Sequence, residues 1–334
     1  MRFVRKRVDR ATRWVRRQFR RPREAHGMVL MYHRVAAAAA DPWRLCVESA
    51  RFESQIRALR QYFDLVPLIE FRDHLVRGRH SRPVAAITFD DGYLDNLAVA
   101  KPILERHAAP ATVFVITGFV GRGGKFWWDR LTDALMVAGE LPARLDLQSE
   151  SGHFDWEDPA LTLPGYRGRA ARRRLHDRLW AWLCDQPDPV RATVLERLEH
   201  WSGQPAASDP MSRPMTADEI RELASGGLID IGAHTMTHPR LSRLSSAEKA
   251  MQIERSRDDC RQILGRDPRC FSYPNGDHDP ESVELVRKAG FTVACDSRQD
   301  LAWVTGDIHR VPRISVRNES GEALLRRLRW DWFE

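Results

Sequence analysis

Two carboxylates side by side at the end of an apolar run are the first residues here that could do chemistry. Asp90 and Asp91 follow the segment VAAITF, residues 84–89, and precede Gly92. Like charges this close resist joint ionisation unless a cation or a hydrogen-bond donor compensates. Gly92 permits a sharp turn away from a strand. A polar turn or a helix N-cap uses the same residue types, so the pair alone leaves both readings open. A second pair, His234 and His238 in the segment HTMTH, follows the apolar run IDIGA. Imidazoles four residues apart just past a strand can reach one ion. A lone pair of this kind is weak, and ordinary surface histidines are the competing reading. With Asp91 the set becomes one carboxylate and two imidazoles, with open positions for water and substrate. Such a set suits zinc and admits iron, cobalt or nickel. Thr235 and Thr237 stand ready to hydrogen-bond around these ligands or to cap the next helix. The third segment is RCFSYPNG, residues 269–276. Its Pro-Asn-Gly end is a tight turn, and a backbone N–H of such a turn can face a developing oxyanion.

Positioning these groups requires elements that bring distant segments to one edge. Short apolar runs at 28–35 (MVLMYHRV), 84–89 and 111–116 (ATVFVI) read as strands, as do FDLVPL, LIDIGAH, RCFS, FTVACD and RVPRISV. Ala36 to Ala40 reads as a loop. Helical spacing lies between the strands, at 51–62, through NLAVAKPILERH, and around Ala247 to Leu264. TADEIRELASGG carries a capping box at Thr216 and Glu219, and PESVELVRKAG closes on Gly290. This alternation predicts an α/β fold with parallel strands. In a barrel of parallel strands, residues just past the strand ends face the active-site end. The pattern breaks from about 121 to 213, where six of the eleven tryptophans sit beside an arginine-rich helix, RAARRRLHDRLWAWLCD. A structureless loop of that length is rare, so this stretch reads as an insertion on the core.

Composition narrows the function classes. With 334 residues, 43% hydrophobic and 30% charged, the chain falls in the soluble globular range. Residues 1–23 hold eleven Lys/Arg against one Asp, a net +10 that exceeds the whole chain's +7 and leaves −3 on the remainder. The basicity therefore belongs to an arm, and a basic groove for nucleic acid is not indicated. In that arm Phe3, Val4, Val8, Ala11, Trp14, Val15 and Phe19 recur at helical spacing. Residues 1–24 read as a basic amphipathic helix suited to an anionic membrane surface; a solvated helix, or one packed on the body, is the alternative. The five cysteines are scattered and form no CxxC pair, so neither a disulfide framework nor a thiolate zinc site is indicated. No apolar run is long enough to span a bilayer, and no signal-peptide h-region is visible. The expected location is cytoplasmic, with peripheral contact at the inner membrane face through residues 1–23.

TFDDG, HTMTH and RCFSYPNG, in that order, resemble the motifs of the polysaccharide deacetylases of carbohydrate esterase family four, also called the nodulation-factor deacetylase homology family. The resemblance spans residues 28–120 and 214–317. MYHRV and Trp127-Trp128-Asp129 resemble a subgroup linked to exopolysaccharide synthesis. The resemblance implies a distorted (β/α) barrel of about seven units over residues 25–334, interrupted by the insertion. It implies an enzyme that removes N-acetyl groups from N-acetylhexosamine units of a polysaccharide or glycan. The implied cofactor is a divalent metal, Zn2+ foremost, with Co2+, Ni2+ or Fe2+ as alternatives, held by Asp91, His234 and His238. Asp90 would be the base, Arg269 would orient it, and the backbone N–H of Asn275 would stabilise the oxyanion. The family's leucine-x-histidine form, which supplies the acid for the leaving amine, is missing. His33, at the end of the first apolar run, is the candidate acid, ahead of His309. Asn275 stands where an aromatic is more frequent, so the insertion tryptophans become the alternative sugar-stacking groups, although core packing is the favoured reading for them. Two alternatives remain: O-acetyl or formyl removal from a lipid-linked sugar, and a non-catalytic carbohydrate-binding protein on the same scaffold.

Overall fold

Runs of apolar residues buried on both faces suit parallel strands, whose sheets are covered on both sides. The computed structural model describes residues 25–78, 82–150, 152–203 and 209–329, so the arm read as an amphipathic helix lies outside the described residues. Numbered along the chain, the strands are β1 His26–Tyr32, β2 Asp64–Leu65, β3 Val84–Phe89, β4 Ala111–Val115, β5 Arg144–Ser149, β6 Gly152–Glu157, β7 Ile229–Ala233, β8 Cys270–Ser272, β9 Val293–Cys295, β10 Ala302–Trp303 and β11 Ile314–Ser315. The main sheet runs β1-β3-β4-β7-β8-β9 with every neighbouring pair parallel. β3 and β4 are buried at every residue. Each fully buried Ile, Val or Phe of such strands contributes about 1.5–3 kcal/mol relative to its exposed state.

The two ends of this sheet meet through one short segment. Val311 pairs with β9, accepting from Asp296 N–H and donating to the Ala294 carbonyl, both at 2.9 Å. Three residues later, Ile314 and Ser315 pair in parallel with Leu30 and Met31 of β1. The segment is therefore the seventh member of a distorted (β/α) barrel, the fold class expected from the sequence. The antiparallel edge strand β10 lies outside the ring, on β1.

Register brings the strand ends to one rim. Tyr32 pairs with Phe89, Phe89 with Val113, Val115 with Ala233, Ala233 with Phe271, and Ser272 with Cys295. Residues just past these ends, among them His33, Asp90, His234 and Asn275, share that rim. Several elements differ from the sequence reading. FDLVPL gives only the two residues of β2 before a 3-10 turn, since Pro67 has no N–H to extend a ladder. RVPRISV is strand only at Ile314–Ser315, for the same reason at Pro312. The sequence reading did not anticipate the hairpin β5–β6 or the helix Gly321–Leu328, whose packing partner is the helix Ser49–Tyr62. The capping box at Thr216 and Glu219 has both of its hydrogen bonds.

Between β4 and β7 the chain builds a separate hydrophobic cluster. Its helices Trp127–Thr132, Gly165–Leu183 and Asp188–Ser202 pack Leu131, Leu175, Leu179, Leu195 and Leu198 together with Leu145 and Leu147 of the hairpin. Tyr93 and Ile116 tie this cluster to the barrel rim. The chain returns beside Gly92, where Met215 N–H donates to the Gly92 carbonyl at 3.1 Å.

Candidate active site

Asp90 leaves β3 still within the ladder, its N–H donating to the Tyr32 carbonyl at 3.0 Å. The residue is 4% exposed. Both oxygens accept from the Arg313 guanidinium at 2.7 Å, the fork geometry that pairs Arg with a carboxylate most strongly. Arg313 is fully buried and is itself held on all sides. It donates through Nε to the Asp296 carbonyl (2.9 Å), through Nη1 to Thr88 Oγ1 (3.2 Å) and through Nη2 to Ser272 Oγ (2.8 Å). Burial alone would raise the Asp90 carboxyl, but the charge and hydrogen bonds of Arg313 outweigh it and hold Asp90 well below the ordinary carboxylate range.

Arg269, expected to orient this base, does not reach it. It precedes β8 and so lies at the rim opposite the strand ends, where its half-exposed side chain stands 4.0 Å from Asp230. Arg313 takes the orienting position because the closing segment threads between β9 and β1. The clue in the sequence is a cation inside the apolar run RVPRISV, where a buried charge needs a buried partner.

Asp91 and Gly92 both turn left-handed, at φ 75° and 77°. A Cβ on Gly92 would stand 2.9 Å from Val115 Cγ1, so position 92 excludes a side chain on both counts. Of the six non-glycine residues with positive φ among the described residues, Asp91, Thr235, His238 and Asn275 lie in this region, a concentration of backbone strain of the kind that marks functional sites. Burial first, and then the charges of Asp90 and Asp129, push the Asp91 carboxyl well above its ordinary range. It is a carboxylate in need of a cation.

Two imidazoles face it. His234 Nε2 lies 3.7 Å and His238 Nε2 3.8 Å from Asp91 Oδ1, and one ligand atom from each of the three residues falls within 4.8 Å of the others. His234 Nδ1 is 2.7 Å from the Ser272 carbonyl. A carbonyl only accepts, so Nδ1 carries the proton and Nε2 keeps its lone pair toward Asp91. Burial lowers the pKa of both imidazoles, His238 well below its usual value, which favours their neutral, metal-binding forms. A deprotonatable carboxylate and two neutral imidazoles fit a divalent ion with open positions.

The loop carrying these histidines is locked from behind. Gln252, on the helix Ser246–Leu264, accepts from Met236 N–H (3.1 Å) and Thr237 N–H (2.9 Å) and donates to Thr237 Oγ1 (2.9 Å). Thr235 Oγ1 accepts from the His238 N–H at 3.0 Å. The two threonines thus stabilise the loop backbone. Trp128 packs on His238 with ring centroids 5.0 Å apart, and its Nε1 donates to Tyr93 OH (2.7 Å), which donates to Asp129 (2.8 Å).

His33 and Asn275 also line the cleft, which encloses about 420 Å³. Asn96 donates to the His33 carbonyl at 2.9 Å, fixing the end of β1. Burial, opposed in part by Asp90, lowers the His33 imidazole to about 4, so it is neutral at pH 7. Asn275 stands on the exposed rim at φ 57°, its carbonyl accepting from Ser297 Oγ at 3.1 Å. His309 is elsewhere, its Nε2 2.9 Å from the Phe291 carbonyl. Trp127, Trp128 and Trp180 belong to the insertion cluster and also line the cleft. Trp43, Arg191 and Arg240, which the sequence reading did not single out, line it too.

Comparison with known proteins gives the family and the fold. A family model described as polysaccharide deacetylase matches residues 77–154 and 198–294, together just over half of the chain. A putative polysaccharide deacetylase of Bacillus subtilis is 29% identical over 120 residues, covering 35% of this chain and 40% of the relative. A poly-β-1,6-N-acetyl-D-glucosamine N-deacetylase of Staphylococcus aureus is 31% identical over 112 residues, covering 30% of this chain and 39% of the relative. The chain thus matches about two fifths of the length of these relatives. The structure of a Streptococcus pyogenes deacetylase in complex with acetate superposes with a TM-score of 0.59 at 16% identity, covering 91% of this chain and 98% of that one, which establishes the shared fold.

Proposed function

Because the chain belongs to the polysaccharide deacetylase family, we propose that it hydrolyses the N-acetyl amides of N-acetylhexosamine units in a glycan of the exopolysaccharide or cell-surface class. The observation that carries this reading is the juxtaposition at one rim of a fork-held, ionised Asp90 and the Asp91–His234–His238 triad. Asp91, His234 and His238 would hold a divalent ion, zinc foremost, which would supply Lewis-acid polarisation of the acetyl carbonyl and would acidify water enough for a weakly basic carboxylate to deprotonate it. Asp90 orients the attacking water and takes its proton. The Arg313 fork uses one lone pair on each oxygen and leaves others to accept. The backbone N–H of Asn275, on the lining of the cleft, would donate to the oxygen of the attacked carbonyl, where charge develops. Asp90 returns its proton toward the departing nitrogen, and His33, the neutral imidazole beside it, carries the transfer. Acetate leaves and the sugar keeps an amine.

The intact base and triad argue against a purely binding role. Acetate release from N-acetylhexosamine oligomers by metal-replete protein tests the reading. Release that is lost on chelation and restored by Zn2+, Co2+, Ni2+ or Fe2+ is the expected outcome. No release from any oligomer overturns it, and release only from O-acetyl or formyl sugars moves the substrate to those classes.

A further inference from the structure

Two arginines on the cleft wall have no part in the chemistry above. The charged residues lining the cleft, histidines aside, are Asp90, Asp91, Arg191, Arg240 and Arg313. Arg313 is committed to Asp90 and Asp91 to the ligand triad. Arg191 and Arg240 therefore leave the cleft with an excess of positive charge, and a divalent ion on the triad would add to it.

Their surroundings show how little of that charge is answered inside the cleft. Arg191, on the helix Asp188–Ser202, is 6% exposed. Its guanidinium stands over the Trp127 ring, 5.4 Å from the centroid, and donates through Nη2 to Asp188, while its buried Nε has no hydrogen-bond partner. Arg240 follows the metal-binding loop and lies over Trp180 at 5.1 Å, with Asp185 4.0 Å away and half exposed. Neither Asp185 nor Asp188 lines the cleft. Trp43 and Trp127 complete the wall, each with a buried indole N–H that lacks an acceptor. The wall offers stacked indole and guanidinium planes, spare donors and no carboxylate. A polymer of N-acetylhexosamine alone gains ammonium groups as it is deacetylated, and a cleft of this sign repels them.

Resting on the deacetylase reading, we propose that the insertion wall is a subsite for an acidic sugar. The N-acetylated unit sits at the triad, and the adjoining unit bears a carboxylate or a phosphate that Arg240 and Arg191 bind against the tryptophans. Guanidinium forks match both groups. The source of the charge is resolved by three ligands of equal length: a tetrasaccharide alternating N-acetylglucosamine with glucuronic acid, a phosphorylated N-acetylglucosamine tetrasaccharide, and its neutral parent. Each is titrated into zinc-loaded, full-length Asp90→Asn protein with tryptophan fluorescence as the readout. Acetate release is measured in parallel on the active protein. One acidic ligand should bind roughly ten-fold more tightly than the neutral one. The preference should fall to within about two-fold in Arg240→Gln and be partly kept in Arg240→Lys. Arg326→Gln, on the distant helix Gly321–Leu328, should leave it unchanged. Equal affinity for all three ligands, or a preference untouched by Arg240→Gln, overturns the subsite, and acetate release from the neutral ligand then leaves the deacetylase reading standing. An acidic preference that disappears in Arg240→Gln, with no acetate released from any ligand, upholds the subsite and overturns the deacetylase reading.

Discussion

Replacing Arg313 with Met removes the only cation bonded to Asp90 among the described residues and keeps most of the side-chain volume. The buried Asp90 carboxylate loses two charge-assisted hydrogen bonds of 2.7 Å, and Thr88 and Ser272 lose a shared donor. Breaking a buried pair by deleting one partner costs about 3–5 kcal/mol, because the remaining charge stays buried without compensation. Urea unfolding followed by tryptophan fluorescence should show a loss of that size for R313M. The double variant D90N/R313M should recover about 2 kcal/mol or more of the summed single losses, since it removes the orphaned charge. Acetate release should vanish in both while bound metal, measured by atomic emission, stays near the wild-type content. Arg269→Ala provides the contrast. Its own side chain is half-exposed and stands 4.0 Å from Asp230, so the loss should stay under about 1 kcal/mol with activity retained. An additive double variant, or an R269A protein as inactive as R313M, refutes the assignment of Arg313 as the residue that holds the base.

Four further outcomes are expected. Asp91→Asn, His234→Ala and His238→Ala should each lose bound metal on dialysis while keeping a cooperative unfolding transition; full metal content in any one removes that residue from the ligand set. Gly118→Ala places a Cβ 2.5 Å from the Met236 carbonyl, so the ligand loop must shift; a stability loss of about 1–3 kcal/mol and weaker metal retention should follow, measured by urea unfolding and chelator competition. Glu219 is held at about 2, below its usual 4.5, chiefly by the Arg213 fork, with burial opposing and the Thr216 N–H assisting. Its contribution is present above pH 4.5 and lost as pH falls toward 2, so Glu219→Gln should flatten the stability curve in that window. Finally, deleting residues 1–23 should abolish co-sedimentation with phosphatidylserine vesicles; unchanged binding removes the membrane role proposed for the arm.

Much of the site was legible because its chemistry sits in short segments at strand ends. VAAITF predicts a buried strand by composition, and β3 occupies the same six residues. Asp90 and Asp91 then land on the rim by the direction of that strand alone. HTMTH follows β7 in the same way, and the capping box that starts the helix before β7 is a local signature with local hydrogen bonds. The hairpin β5–β6 was missed although Leu145, Leu147, Phe154 and Trp156 alternate, because the surrounding arginines and tryptophans masked a period of two. Arg269 was assigned to the base through its motif, and strand direction puts it at the wrong rim.

By itself the sequence determined the parallel α/β class and the meeting of Asp90, Asp91, His234 and His238 at one rim, since each depends on patterns spanning only a few residues. Only the tertiary structure decided which cation holds Asp90 and what faces the substrate. Arg313 lies 223 positions from Asp90 and reaches it because the segment around Val311 and Ile314 closes the ring between β9 and β1. Trp43, Arg191 and Arg240 meet at the cleft because the insertion folds back over the same rim. Ring closure and insertion packing are set by the summed burial of many side chains, and no local spacing records which distant residues that burial brings together.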